Sequence, residues 1–472
     1  MLKALNALQV GKQGFLPLVE GGKGVSATNH ASAGAWAKAG GLGTVSAVNA
    51  DSYDENGEVI PQTYHGRRRE DRHEELVEYA VKGGIEQVRR AYDIAGDEIR
   101  AGRGALNVNI LWEMGAAQRV LEAVLEGTKG LVHGVTCGAG MPYRLSEVAS
   151  KHGVFYYPII SSGRAFRALW KRSYSKTAEW LGGVVYEDPW LAGGHNGLSN
   201  AEDPLLPQAP YPRVRDLRAV MREGGIADSV PIIVAGGVWY LREWLDWIDN
   251  PELGAIAFQF GTRPLLTRES PIPDVWKAQL PLLREDGVLL HQFSPTGFYS
   301  SAVHNSFLRE LEGRSERQIP FAAVATEERP LLLDVGVGRK KYYVSGADLE
   351  KARQWVAAGH DTALKTPDDT LIFVSDERSK SIRLDQANCM GCLSHCVFSS
   401  WKDHGDHSTG RLADPRSFCI QKTLQDIAHG ADPEFELMFA GHSATRFRTD
   451  PFYANGFIPT VKQLIERIQT GD

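Results

Sequence analysis

The chain has 472 residues, enough for two or three ordinary domains or for one large barrel with an appendage. A hydrophobic share of 43% against 23% charged residues describes a soluble globular protein with ample core, and a net charge of −6 argues against a general nucleic-acid or acidic-membrane binder. No run approaches the about 18 apolar residues of a membrane span. The opening MLKALNALQVGKQGF lacks the apolar core and small-residue cleavage site of a secretion signal, so a cytoplasmic location is expected.

Short β-branched or apolar runs alternate with helical patterns through about the first 270 residues. The expected strands are Phe15–Val19, Gly43–Val48, Ala105–Leu111, Gly130–Thr136, Val154–Ile160, Gly182–Glu187, Val230–Val234 and Ala255–Phe260. Apolar residues at spacing three and four predict helices over Glu74–Ile99, Gln118–Leu125 and Asp216–Glu223. Eight strands alternating with helices imply a closed parallel (β/α)8 barrel of α/β class. An open doubly wound sheet is the alternative, disfavoured by the lack of a G-x-G-x-x-G turn after the first strand. The basic run His65-Gly-Arg67-Arg68-Arg69, followed at once by Glu70 and Asp71, reads as a solvated loop.

Beyond about residue 285 the alternation ends, which sets the expected division: a barrel over 1–285 and an irregular, mainly helical extension over 286–472 lying across it. Helices are expected at Asn305–Leu311, Gly346–Ala358, Phe418–Gly430 and Thr460–Ile468. Within the extension, Cys389, Cys392, Cys396 and Cys419 gather four of the chain's five cysteines. Four thiolates brought together are the ligand set of an iron–sulfur cluster or a zinc ion. C-x2-C-x3-C with a distant fourth cysteine departs from the paired C-x2-C of zinc ribbons and favours [4Fe–4S], with zinc as the alternative. His395, His404 and His407 keep zinc open, although each also reads as a solvated loop histidine.

In a (β/α)8 barrel the chemistry lies on the loops at the carboxyl ends of the strands. Here those ends carry Gly21 and Gly22, Asn107, Cys137, Ser161, Gly193-Gly194-His195, Ala235-Gly236-Gly237 and Gln259-Phe260-Gly261-Thr262. Glycine turns after strands seven and eight form the usual barrel phosphate site, which beside glycine-lined strand ends points to FMN or a similar phosphorylated cofactor. His195, set between glycines and an asparagine, is the candidate catalytic residue, able to move a proton or polarise an oxyanion near neutral pH. Its plainer reading is a loop or phosphate hydrogen bond. Cys137 reads as a small packing residue sooner than as a thiol acid.

These residues resemble the nitronate monooxygenase (2-nitropropane dioxygenase) superfamily of FMN-dependent barrels. The motifs, in order, are Gly22-Lys-Gly-Val-Ser-Ala-Thr-Asn29, Ala39-Gly-Gly-Leu-Gly-Thr-Val-Ser46, Cys137-Gly-Ala-Gly-Met-Pro142, Ala192-Gly-Gly-His-Asn196, Ile233-Val-Ala-Gly-Gly237 and Phe260-Gly-Thr-Arg263. The resemblance implies that Gly236, Gly237, Gly261 and Thr262 hold the FMN phosphate, that Gly22, Asn107 and Gln259 line the flavin, and that His195 is the base or substrate-orienting residue. The cysteine motif resembles that of the 2,4-dienoyl-CoA reductase and trimethylamine dehydrogenase group, whose cluster passes electrons to or from a flavin. The expected function is therefore an FMN and [4Fe–4S] oxidoreductase acting on a small organic substrate, with NAD(P)H or a redox partner protein as electron donors to consider. A strict nitronate monooxygenase with a structural metal is the alternative. A zinc module docking a partner or RNA is a further one. The oligomeric state is open, a homodimer included.

Overall fold

The computed structural model describes residues 5–472. Eight strands form one closed, wholly parallel barrel: β1 Leu18–Glu20, β2 Leu42–Ser46, β3 Ala105–Leu111, β4 Gly134–Gly138, β5 Phe155–Ile160, β6 Val184–Glu187, β7 Ile232–Ala235 and β8 Ile256–Phe260. Closure runs through Phe258–Phe260 of β8 beside Leu18–Glu20 of β1. The expected barrel is present, with two strands displaced. Phe15 ends a hairpin with Leu8–Val10, ahead of β1. Gly130 stands at φ +83° in a turn, so β4 begins only at Gly134.

Alternation along the strands divides inside from outside. Val19, Leu42, Ala105, Tyr157, Val185, Ile233 and Ala257 fill the barrel, and Val10 and Phe15 of the hairpin belong to the same buried cluster. Two residues further along β2, β3, β6 and β8 the inward positions become Thr44, Asn107, Glu187 and Gln259. The interior thus changes from apolar to polar toward the carboxyl ends.

Outside the barrel pack α1 His30–Lys38, α2 Arg69–Arg100, α3 Ala117–Gly127, α4 Leu145–Lys151, α5 Gly163–Arg172 and α6 Pro210–Glu223. Short 3-10 helices, Leu241–Trp247 and Arg263–Leu266, follow β7 and β8. The last helix of the chain, α8 Val461–Gln469, packs on α1 and buries Val461, Leu464, Ile465 and Ile468 in the barrel's main core. It supplies apolar cover on a side where β8 has no long helix of its own. A buried Arg263–Asp450 pair at 3.4 Å, joined by the Trp239 indole N–H donating to Asp450 at 2.8 Å, ties this return to the loops after β7 and β8.

The extension also holds a three-stranded sheet (Gln318–Pro320, Thr362–Lys365, Thr370–Val374) and helix Gly346–Ala357, with their own core around Ile319, Leu349, Leu371 and Phe373. The helix expected at Phe418–Gly430 is α7, Ile420–Ala428. Among the described residues no helix is long and apolar enough to cross a membrane.

Candidate functional site at the carboxyl end of the barrel

Two adjoining cavities open at this end. The smaller, about 90 Å³, is bounded by Ala235, Gly236 and Gly237 after β7, by Gly261 and Thr262 after β8, and by Gly21, Gly193, Gly441 and Ser443. Gly237 adopts φ +78°, which side-chain-bearing residues avoid, and a Cβ there would sit 2.7 Å from Leu191. Gly261 differs: a Cβ built on it meets nothing within 4 Å, so the backbone borders open space. Such a cradle of bare backbone fits a phosphate.

The larger cavity, about 150 Å³, shares Gly22, Glu187, Gly193, Gln259, Gly261 and Thr262 with the first. It continues past Lys23, Asn109, Thr136, Gly194 and His195 to an apolar wall of Leu265, Trp276, Leu424 and Phe439. Most residues proposed from sequence therefore border one or both cavities. Asn107 and Ser161 do not. Asn107 is fully buried below, donating to the Thr136 hydroxyl at 3.2 Å. The Ser161 hydroxyl donates to the Gly197 carbonyl at 2.7 Å and steadies the loop that carries His195. Cys137 lies in the main core with its thiol pKa raised by burial, which suits a packing residue.

His195 is held by the extension. Gly194–His195 pairs antiparallel with Ser300–Ser301, its Nε2 lies 2.6 Å from the Ser294 hydroxyl, and its ring meets Phe439 edge-on at 5.7 Å. Burial pushes its pKa down to about 4, so the ring is neutral at pH 7 and able to accept a proton or a hydrogen bond. His291 beside it is pushed down to about 3 by burial and then by His195. At the floor, desolvation followed by the neighbouring Asp188 drives the Glu187 carboxyl up to about 8. Lys23 is lowered by burial against the pull of Glu20, 3.7 Å away, and its ammonium donates to the Gly21 carbonyl at 2.8 Å.

Sequence reasoning missed Glu187, Lys23 and the whole outer wall. Glu187 had a signal, since it sits at an inward position ending a barrel strand. Leu424 and Phe439 of the wall had none, because they reach the site only through the fold of the extension.

The four cysteines converge. Cys392 is raised first by burial and then by Cys419, Cys396 and Cys389; burial and then Cys389 drive Cys396 up to about 11, and burial, joined by Cys396 and Cys389, drives Cys419 up to about 12. They join a buried cluster with Leu393, Phe398, Trp401, Phe418 and Leu424. The histidines are engaged elsewhere: His395 is exposed, His404 contacts Asp403 at 3.1 Å, and His407 stacks on Trp401 at 5.0 Å. Among the described residues no three His, Cys, Asp or Glu side chains are grouped to hold a single metal ion. The cysteine segment is clamped to the start of α2 and to the loop after β3. Arg72 donates to the Cys389 carbonyl at 3.1 Å, Gly115 N–H to the Cys392 carbonyl at 2.9 Å and Arg69 to the Ser399 carbonyl at 2.9 Å. The end of the basic run thus binds the cysteine loop and is not simply solvated.

The fold and this site define a barrel enzyme. A family model described as nitronate monooxygenase matches residues 89–372, more than half of the chain. The protein belongs to the nitronate monooxygenase family and is a flavin-dependent oxidoreductase, FMN being the flavin implied. Among solved structures, the enoyl reductase domain of MlnA from Bacillus amyloliquefaciens matches with TM-score 0.54 and 11% identity over 97% of this chain and 93% of that one. The nitroalkane oxidase of Streptomyces ansochromogenes gives 0.51 and 15% over 97% and 95%. At these identities the likeness is one of fold. No curated protein sequence matches.

Proposed function

We propose that the protein is an FMN-dependent oxidoreductase in which a [4Fe–4S] cluster on Cys389, Cys392, Cys396 and Cys419 exchanges electrons with the flavin during turnover of a small organic substrate. The phosphate would lie against Gly236, Gly237, Gly261 and Thr262, and the ring over the polar floor, where FMN supplies the electron chemistry. His195, neutral and held by Ser294, takes a proton from the substrate or orients it.

The carrying observation is helix α7. Cys419 caps its start, and Leu424, five residues on, lines the larger cavity. Five residues advance about 7.5 Å along a helix, so thiol set and flavin cavity are close neighbours. Thiols close enough to raise one another are the donor set that such a cluster requires, and the C-x2-C-x3-C spacing favours it over zinc. The segment is buried and clamped to the barrel, which argues against a module displayed for a partner or RNA.

Anaerobically purified protein should carry one FMN and about four iron and four sulfide per chain. Cys→Ser at any of the four positions should lower iron and sulfide together, while Cys137→Ser leaves both unchanged. Stoichiometric zinc without sulfide, in protein never exposed to air, would refute the cluster.

A further inference from the structure

Glu187 is the one carboxylic acid lining either cavity among the described residues, and it lines both. Its side chain continues the inward row of β6: Val185 fills the barrel interior, and two positions on, Glu187 pairs in register with inward Ala235 of β7. No hydrogen bond or ion pair within the described protein engages its carboxyl. Asp188, next in sequence, is committed instead to the turn, accepting from the Trp190 and Leu191 N–H groups at 3.0 Å each. A lone carboxyl at the top of a barrel, unused by the fold, stands where the phosphate cavity meets the ring cavity.

We infer that Glu187 takes up a proton when the flavin bound between these cavities gains negative charge, and so sets how the flavin's redox potential depends on pH. The inference rests on the proposed FMN site but not on the cluster. An electron pair delivered to the flavin raises the negative charge beside the carboxyl, and a proton from solvent neutralises the carboxylate; no bond of the protein breaks. The charged group acting on Glu187 is Asp188 on its own strand end, and the other titratable groups lining the larger cavity are Lys23 from the loop after β1 and His195 from the loop after β6. Desolvation and then Asp188 hold the carboxyl protonated up to about pH 8, while His195, pushed down to about 4, stays neutral throughout the neutral range. Two groups on one cavity are thus driven in opposite directions, which separates a proton holder from a proton acceptor.

The experiment follows the midpoint potential of bound FMN from pH 6 to 9.5 in the full-length protein, after flavin content has been measured, with dithionite as reductant. In wild-type protein, reduction should take up one additional proton per electron pair above about pH 8, so the potential falls more steeply there. Glu187→Gln, isosteric with the protonated acid, should keep its FMN and lose the steep region. Glu187→Asp should keep a steep region at a different pH. Should Glu187→Gln fail to fold, proton release or uptake on photoreduction of wild-type protein decides: equal uptake at pH 7 and pH 9 overturns the inference, as does a Glu187→Gln profile superimposable on wild type. Wild-type protein that takes up no FMN fails at the first measurement, which marks the failure as one of the flavin site.

Discussion

The cavity has two walls of different origin. Its barrel wall is made of turns at strand ends: Gly21, Gly236, Gly237, Gly261 and Thr262 present backbone and small side chains, each following its strand by a fixed number of residues. Its outer wall comes from the extension, where Leu424 and the Phe439–Gly441 segment border the space and Ser294, from a third segment, holds His195. The barrel wall is suited to holding a phosphate and a ring. The outer wall grips the catalytic candidate and closes the space left for substrate. The proposed cofactor contacts therefore lie on one wall and the grip on His195 on the other.

The comparison breaks most readily at Gly261. An aspartate there needs no backbone strain, because the glycine's φ is not positive and its Cβ would enter open space. The carboxylate would stand in the phosphate cavity, and the purified variant should be folded, with unchanged circular dichroism and no FMN. Gly237→Asp is the poorer probe, since φ +78° and Leu191 at 2.7 Å would disturb the fold as well. A Gly261→Asp protein with full flavin content would move the phosphate elsewhere.

His195 lies where the walls meet, and its replacement sharpens the division. His195→Ala should keep FMN and thermal stability but lose turnover by about 10²-fold, the scale of a removed acid or base. Because burial holds the imidazole down to about 4, its protonation adds no acid limb to the wild-type rate profile between pH 5 and 8. Loss of flavin or of the fold in this variant would make His195 a structural element of the outer wall.

How far each wall was legible follows from the same difference. Strand alternation and glycine-ended turns are local, so the barrel, its phosphate loops and His195 could be read from residues a few positions apart. Asn107 was placed one layer too high, because strand alternation gives the face and not the depth. The extension's contribution is long-range: Leu424 looks like any apolar residue of an amphipathic helix, and only packing sends it to the cavity. The cysteine spacing was plain, but its anchorage by Arg69, Arg72 and Gly115 depends on α2 and the loop after β3 reaching across the barrel's end.

The smallest expected effect lies at the seam between the walls. His429, at the end of α7, sits 2.9 Å from the fully buried Asp51 in the loop after β2, and Asp51 also accepts from Ser26 in the loop after β1. The hydrogen bond to Asp51, ahead of the opposing cost of burial, raises the pKa of His429 above its ordinary value. A group raised on folding binds its proton more tightly in the native state. Its stabilisation is thus fully present below the unfolded pKa of about 6.5 and fades as pH rises through the higher folded value. The imidazole is partly exposed, which limits the charged contact to less than about 1 kcal/mol. His429→Gln should accordingly lower the melting temperature slightly at pH 6 and by less at pH 9, with FMN content unchanged. A deficit equal at both pH values would mean that the pair acts by packing alone, and that no charge couples the helix of Cys419 to the barrel loops.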